Sequence, residues 1–85
     1  MTAKGSNNDD GFKKEMLEKI AARIRSLRKK RGYDNYEKFA YEHNLNRSQY
    51  GRYEKGEDLR FTSLVRVCRA FGVTLSEFFS EGFDD

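Results

Sequence analysis

Apolar residues recur along this chain at helical spacing, and no stretch shows the alternation of a strand. Phe12, Met16, Leu17, Ile20, Ala21, Ile24 and Leu27 return at three- and four-residue steps and predict an amphipathic helix from Phe12 to Arg31. Tyr36, Phe39, Ala40 and His43 follow at i, i+3, i+4 and i+7, a second helix from about Asn35 to His43, with Asp34 and Glu37 spaced as a capping box. Asn44 stands where a left-handed residue ends that helix, and Asn46 opens a third at once, so the two form a helix-turn-helix. In the third, Asn46 caps the start, Gln49 is placed to reach back to its amide, and Gly56 stops it. Phe61, Leu64, Val65, Val67, Cys68 and Phe71 give a fourth helix ended by Gly72; Thr74 with Glu77 opens a short fifth, Leu75 to about Ser80. Residues 1–11 have neither period nor apolar anchor and predict a disordered tail, residues 81–85 an acidic one. Between them, residues 12–80 make one all-α domain.

The third helix sorts its residues by chemistry. Arg47, Ser48, Gly51, Arg52 and Lys55 fall on one continuous side, while Tyr50 and Tyr53 fall on another. A cationic stripe backed by an aromatic pair has the build of a recognition helix, because guanidinium forks suit guanine edges and phosphates; a solvated helix face is the plainer reading. Gly51 inside a helix costs about 1 kcal/mol relative to Ala. Something must approach closely there, and a DNA groove wall is expected ahead of a neighbouring helix. All five tyrosines lie between Tyr33 and Tyr53, and Tyr36, Tyr50 and Tyr53 suit a small core that keeps its hydroxyls wet.

Charge supports the first reading. Residues 12–80 hold 16 Lys and Arg against 9 Asp and Glu, a balance of +7 that the formal +3 of the whole chain conceals. Such a body favours a polyanion, without separating DNA from RNA or an anionic membrane. Arg23, Arg25, Arg28 and the Lys29-Lys30-Arg31 run suit either the negative end of the first helix or phosphates near it. No apolar run approaches the roughly 18 residues of a membrane span, and no signal peptide opens the chain; cytoplasm is expected. The single Cys68 belongs to the apolar stripe of the fourth helix, and His43 has no metal-spaced companion. No catalytic motif appears, so neither an enzyme nor a cofactor or metal is expected.

Five segments, Ile24-Arg25-Ser26-Leu27-Arg28-Lys29, Phe39-Ala40, Leu45-Asn46-Arg47-Ser48, Tyr53-Glu54-Lys55-Gly56 and Leu64 through Phe79, resemble in order and register the lambda repressor-like, Xre-type family of helix-turn-helix domains. The resemblance covers roughly residues 20–79. It implies a five-helix bundle that lays its third helix in the major groove of double-stranded operator DNA and binds as a symmetric homodimer, a transcriptional regulator. Base contacts carry over to Arg47, Ser48 and Arg52, with Gln49 and Gly51 beside them. Phosphate contacts are expected of Asn35, Tyr36, Asn46, Lys55 and Arg60, and a structural ion pair of Arg28 with Glu54. The chain departs from the family in its Asp34-Asn35-Tyr36 opening of helix 2, in Asn44 at the turn, in Tyr50 and Tyr53 at aliphatic positions, and in a shorter loop before helix 4 without Pro. Phe78, Phe79 and Phe83 are more apolar than the terminal helix of so small a domain easily hides and are expected to form the dimer seam, a cap on the bundle being the plainer reading. An alternative is an antitoxin-like interaction module whose acidic, aromatic C-terminus docks a protein partner; an RNA-binding role lacks an aromatic sheet platform.

Overall fold

Most helix ends in this protein are closed by identifiable local chemistry, the start of the fourth helix, which has no side-chain cap, being an exception. The computed structural model describes residues 3–84, with side chains from residue 10, in the order α1 (Ala3–Lys30), α2 (Tyr36–Glu42), α3 (Arg47–Glu54), α4 (Phe61–Phe71) and α5 (Leu75–Phe78). Among the described residues there is no strand. At the end of α2 the Leu45 N–H donates to Ala40 O at 2.8 Å and the Asn44 N–H to Tyr41 O at 3.3 Å. Asn44, at φ 58°, is the left-handed residue that this paired closure needs. The same closure ends α1, α3 and α4 at Gly32, Gly56 and Gly72. For α5 the start is reciprocal: Thr74 accepts from the Glu77 N–H at 3.0 Å while the Glu77 carboxylate accepts from the Thr74 N–H at 2.8 Å.

Two boundaries differ from the sequence pattern. The helix α1 begins at Ala3, ahead of Phe12, so residues 3–11 continue a helix where a disordered tail was expected; Met1 and Thr2 of that tail lie outside the described residues. No acidic residue supports its first turn, and the extension is propagation from a nucleated helix, which adds one hydrogen bond for each residue fixed. At 1.5 Å per residue α1 spans about 42 Å, which sets the 46 Å long axis of the molecule. At α2 the cap is Asn35, not Asp34: its side-chain oxygen accepts from the N–H groups of Glu37 at 2.7 Å and Lys38 at 3.2 Å.

The core forms where the inner face of α1 meets the other four helices. Ile24, Leu27, Phe39, Ala40, Tyr50, Leu64, Val67, Cys68, Phe71 and Phe78 are buried together. Phe39 is its hub, stacked on Phe71 at 4.6 Å, edge-on to Tyr33 at 5.1 Å and 4.4 Å from the His43 ring that caps α2. Phe78, expected at a dimer seam, is fully buried in this same core. The acidic segment after it folds back: Phe83 packs 4.8 Å from Phe79, and Glu81 reaches Arg23 at 3.4 Å and Lys30 at 3.7 Å. Asp85 lies outside the described residues.

Candidate nucleic-acid interface

The helix α3 is set by its own cap and then divided by burial. The Asn46 side-chain oxygen accepts from the Gln49 N–H at 2.9 Å, the forward half of a capping box. Arg47, Ser48, Gln49, Arg52 and Lys55 are exposed, whereas Tyr50, Gly51 and Glu54 are buried. The guanidinium groups of Arg47 and Arg52 have no hydrogen-bond or ion-pair partner among the described residues. Such groups present five donors each to whatever lies opposite.

Gly51 does not belong to that exposed set. A Cβ there would sit 2.8 Å from the Tyr36 ring carbon Cε1 and 3.0 Å from its hydroxyl. The close approach inferred from a helix-interior glycine therefore comes from α2 and not from DNA: Tyr36 fills the notch, and α2 and α3 cross closer than side chains on both would permit. Gly51 sits at the edge of the cationic stripe, where a one-sided reading of the helix wheel cannot tell the outward face from the α2-facing flank.

Behind the exposed face, α1 holds the end of α3. Arg28 grips Glu54 with two bonds, Nε to Oε2 at 2.7 Å and Nη2 to Oε1 at 3.0 Å, both residues being buried. This is the pair that the family resemblance implies. Arg28 also donates to the Tyr33 carbonyl at 2.8 Å, and its bond to Glu54 holds the guanidinium above even its usual range. Arg25 donates from Nη1 to the Glu54 carbonyl. The Tyr50 ring packs beside this pair, and its hydroxyl is buried with no hydrogen bond of acceptable geometry, not wet as expected. Burial first, then the adjacent Glu54 carboxylate, pushes that phenol far above the ordinary tyrosine range.

Arg23 on α1 and Arg31 just past its end also bond to backbone carbonyls, which neither reading of the basic cluster anticipated. Arg31 donates to the Phe71 carbonyl from Nε at 3.1 Å and Nη2 at 2.7 Å, and Arg23 to the Phe78 and Glu77 carbonyls at 2.7 and 2.8 Å. The arginines of α1 thus neutralise the carbonyl ends of α3, α4 and α5. A signal was present in the spacing: Arg23 and Arg31 flank Leu27 four residues away on either side, Arg28 follows Ile24 by four and Arg25 follows Ala21 by four. Each shares a helical column with a buried apolar residue.

On the opposite side of the domain stand arginines without a side-chain partner among the described residues. Arg52, Arg60 and Arg66 line one open cleft between α3 and the start of α4, together with Gln49, Tyr53 and Ser63, and the carboxylates Glu57 and Asp58 line it with them. Arg66, exposed on α4, was missed at the sequence level because its helix reads as the most hydrophobic one. Asn35 and Asn46 direct their side-chain oxygens into caps, and their amide nitrogens have no partner among the described residues. Tyr36 is half-buried against Gly51.

No curated protein and no solved structure matches the chain. A helix-turn-helix family model matches residues 24–78, from the buried Ile24 of α1 to the buried Phe78 of α5, and so takes in the clasped end of α3, its exposed face and the cleft beside it. The chain belongs to the lambda repressor-like, Xre-type helix-turn-helix family, and its domain is a DNA-binding one.

Proposed function

We propose that the protein is a sequence-specific transcriptional regulator that binds a short palindromic site as a homodimer and reads the major groove with α3. The observation that carries this reading is the split surface of α3: Tyr50, Gly51 and Glu54 are locked into the domain while Arg47, Ser48, Gln49 and Arg52 stand exposed. Arg47 and Arg52 take guanine edges, with Ser48 and Gln49 contributing shorter-range polar contacts. Lys55, Arg60 and Arg66 contact phosphates along the cleft, and the Asn35 and Asn46 amides and the Tyr36 hydroxyl serve the strand on the α2 side. With such contacts, affinity falls steeply as salt rises.

The test is selection of bound duplexes from a random pool at near-physiological salt, with Arg47→Ala and Arg52→Ala run in parallel. A palindrome is expected, and each substitution should relax one base pair per half-site, at about 1–3 kcal/mol of discrimination. Enrichment of no sequence, or identical selections from all three proteins, would overturn the reading.

A further inference from the structure

We propose that Lys13, in the N-terminal half of α1, is a positioning residue for DNA binding: it neutralises the Asp58 carboxylate so that the arginine cleft beside α3 accepts a phosphate. This role rests on the DNA reading above and draws in a part of the chain that the family match, which begins at Ile24, does not cover. The cleft contains a conflict of charge. Arg52, Arg60 and Arg66 line it, yet Glu57 and Asp58 line it with them. A phosphate entering that space is attracted by the guanidinium groups and repelled by both carboxylates.

One of the two carboxylates is answered from α1. Lys13 Nζ stands 3.3 Å from Asp58 Oδ2, whereas Glu57 has no ion-pair partner among the described residues. The course of α1 along the loop that leaves α3 brings Lys13 there. A Cβ at Gly56 would lie 3.8 Å from Glu18 Cγ, and Lys13, about 7.5 Å back along the helix axis, meets the same loop again at Asp58. Both side chains of the pair are mostly exposed, 61 % and 64 %, so their bond contributes little to folding. Its effect falls on the field that a phosphate meets. Without Lys13 the cleft's three arginines face two unanswered carboxylates; with it they face one. Lys13 thus works through Asp58, and the arginines make the phosphate contacts.

Titration of the full chain with a labelled random-sequence duplex at several salt concentrations tests this role, with thermal melting by circular dichroism confirming the fold of each variant. Lys13→Ala should leave the melting temperature unchanged and weaken binding by up to about fivefold, the most that an exposed charge pair of this kind changes an equilibrium. In an Asp58→Asn background the same substitution should cost less than about twofold, because its partner is gone. In a Glu57→Gln background the full cost should persist. The dependence of affinity on salt should keep its slope throughout, since Lys13 itself touches no phosphate. An equal cost of Lys13→Ala with and without Asp58, a slope shallower by about 0.9 as for one lost phosphate contact, or binding indifferent to Lys13 would each overturn the role. A wild type that binds no duplex would overturn the DNA reading and this role together, and the wild-type titration alone tells that failure from the others.

Discussion

The arginines of α1 and those of the α3–α4 side are the same residue in the same small domain, yet they do opposite work. Arg23, Arg25, Arg28 and Arg31 reach inward to carbonyl oxygens and to the Glu54 carboxylate. Arg47, Arg52, Arg60 and Arg66 point to solvent, three of them along one cleft. The difference lies in what stands next to each on its helix. An α1 arginine sharing a column with a buried Leu, Ile or Ala is carried to the edge of the core, where the ends of three shorter helices converge and need donors. An arginine on α3 is held out because Tyr50 and Glu54 occupy the inner face. A basic total therefore says little about the strength of an anion-binding surface until the inward-turned cations are subtracted.

The sharpest way to break this contrast is to exchange the readouts. Arg28→Ala leaves the Glu54 carboxylate buried without its cation, which typically costs about 3–5 kcal/mol. Thermal or denaturant unfolding should show that loss. Arg52→Ala should change stability by less than about 0.5 kcal/mol while weakening DNA binding. If Arg28→Ala unfolds like the wild type, α1 does not secure α3 in the way described.

Next in size is Arg31→Ala. Its guanidinium bridges the end of α1 to the Phe71 carbonyl, and charge-assisted bonds of this kind contribute about 1.5–3 kcal/mol. The melting temperature should fall, and the salt dependence of DNA binding should keep its slope, since no phosphate contact is removed. A shallower slope would move Arg31 to the interface group.

Much of the scaffold was legible because its signals are local. The Asn44 turn, the Thr74–Glu77 box and the stripes through Ile24, Leu27, Leu64 and Phe71 each depend on residues within a turn or two of one another. What escaped depends on residues far apart in sequence. Asp34 and Asn35 are equally good caps on paper, and the turn geometry after α1 selects the second. Gly51 advertises a close approach without naming what approaches; that required the position of Tyr36, fifteen residues earlier. Phe78, Phe79 and Phe83 form one apolar cluster in the sequence, and only the packing of α5 on α1 and α4 sends the first inward. For the exposed set the pattern identified Arg47 and Arg52, while Arg66 was hidden by the apolar character of its helix.

The smallest effect concerns the Tyr50 hydroxyl, buried beside the Arg28–Glu54 pair without a hydrogen bond. Removing it in Tyr50→Phe leaves no orphaned donor and should be neutral or stabilising by about 1 kcal/mol near pH 7. The sign reverses nothing at neutral pH but separates the two proteins in alkali. A phenol whose folded value is raised stays protonated in the native state while the unfolded chain ionises above its ordinary value of 10.0, so the group leaves stability independent of pH below that value and lowers it as pH rises beyond it. The slope approaches about 1.4 kcal/mol per pH unit for one group. Wild-type stability should therefore fall more steeply above pH 10 than that of Tyr50→Phe. Tyr33 adds a smaller share through its 2.6 Å bond to Glu42, which also raises its phenol, and Tyr33→Phe is the control that isolates it. Parallel alkaline curves for wild type and Tyr50→Phe would mean that the phenol is not sealed behind α3, and that water reaches the Arg28–Glu54 pair on which the inward half of the comparison rests.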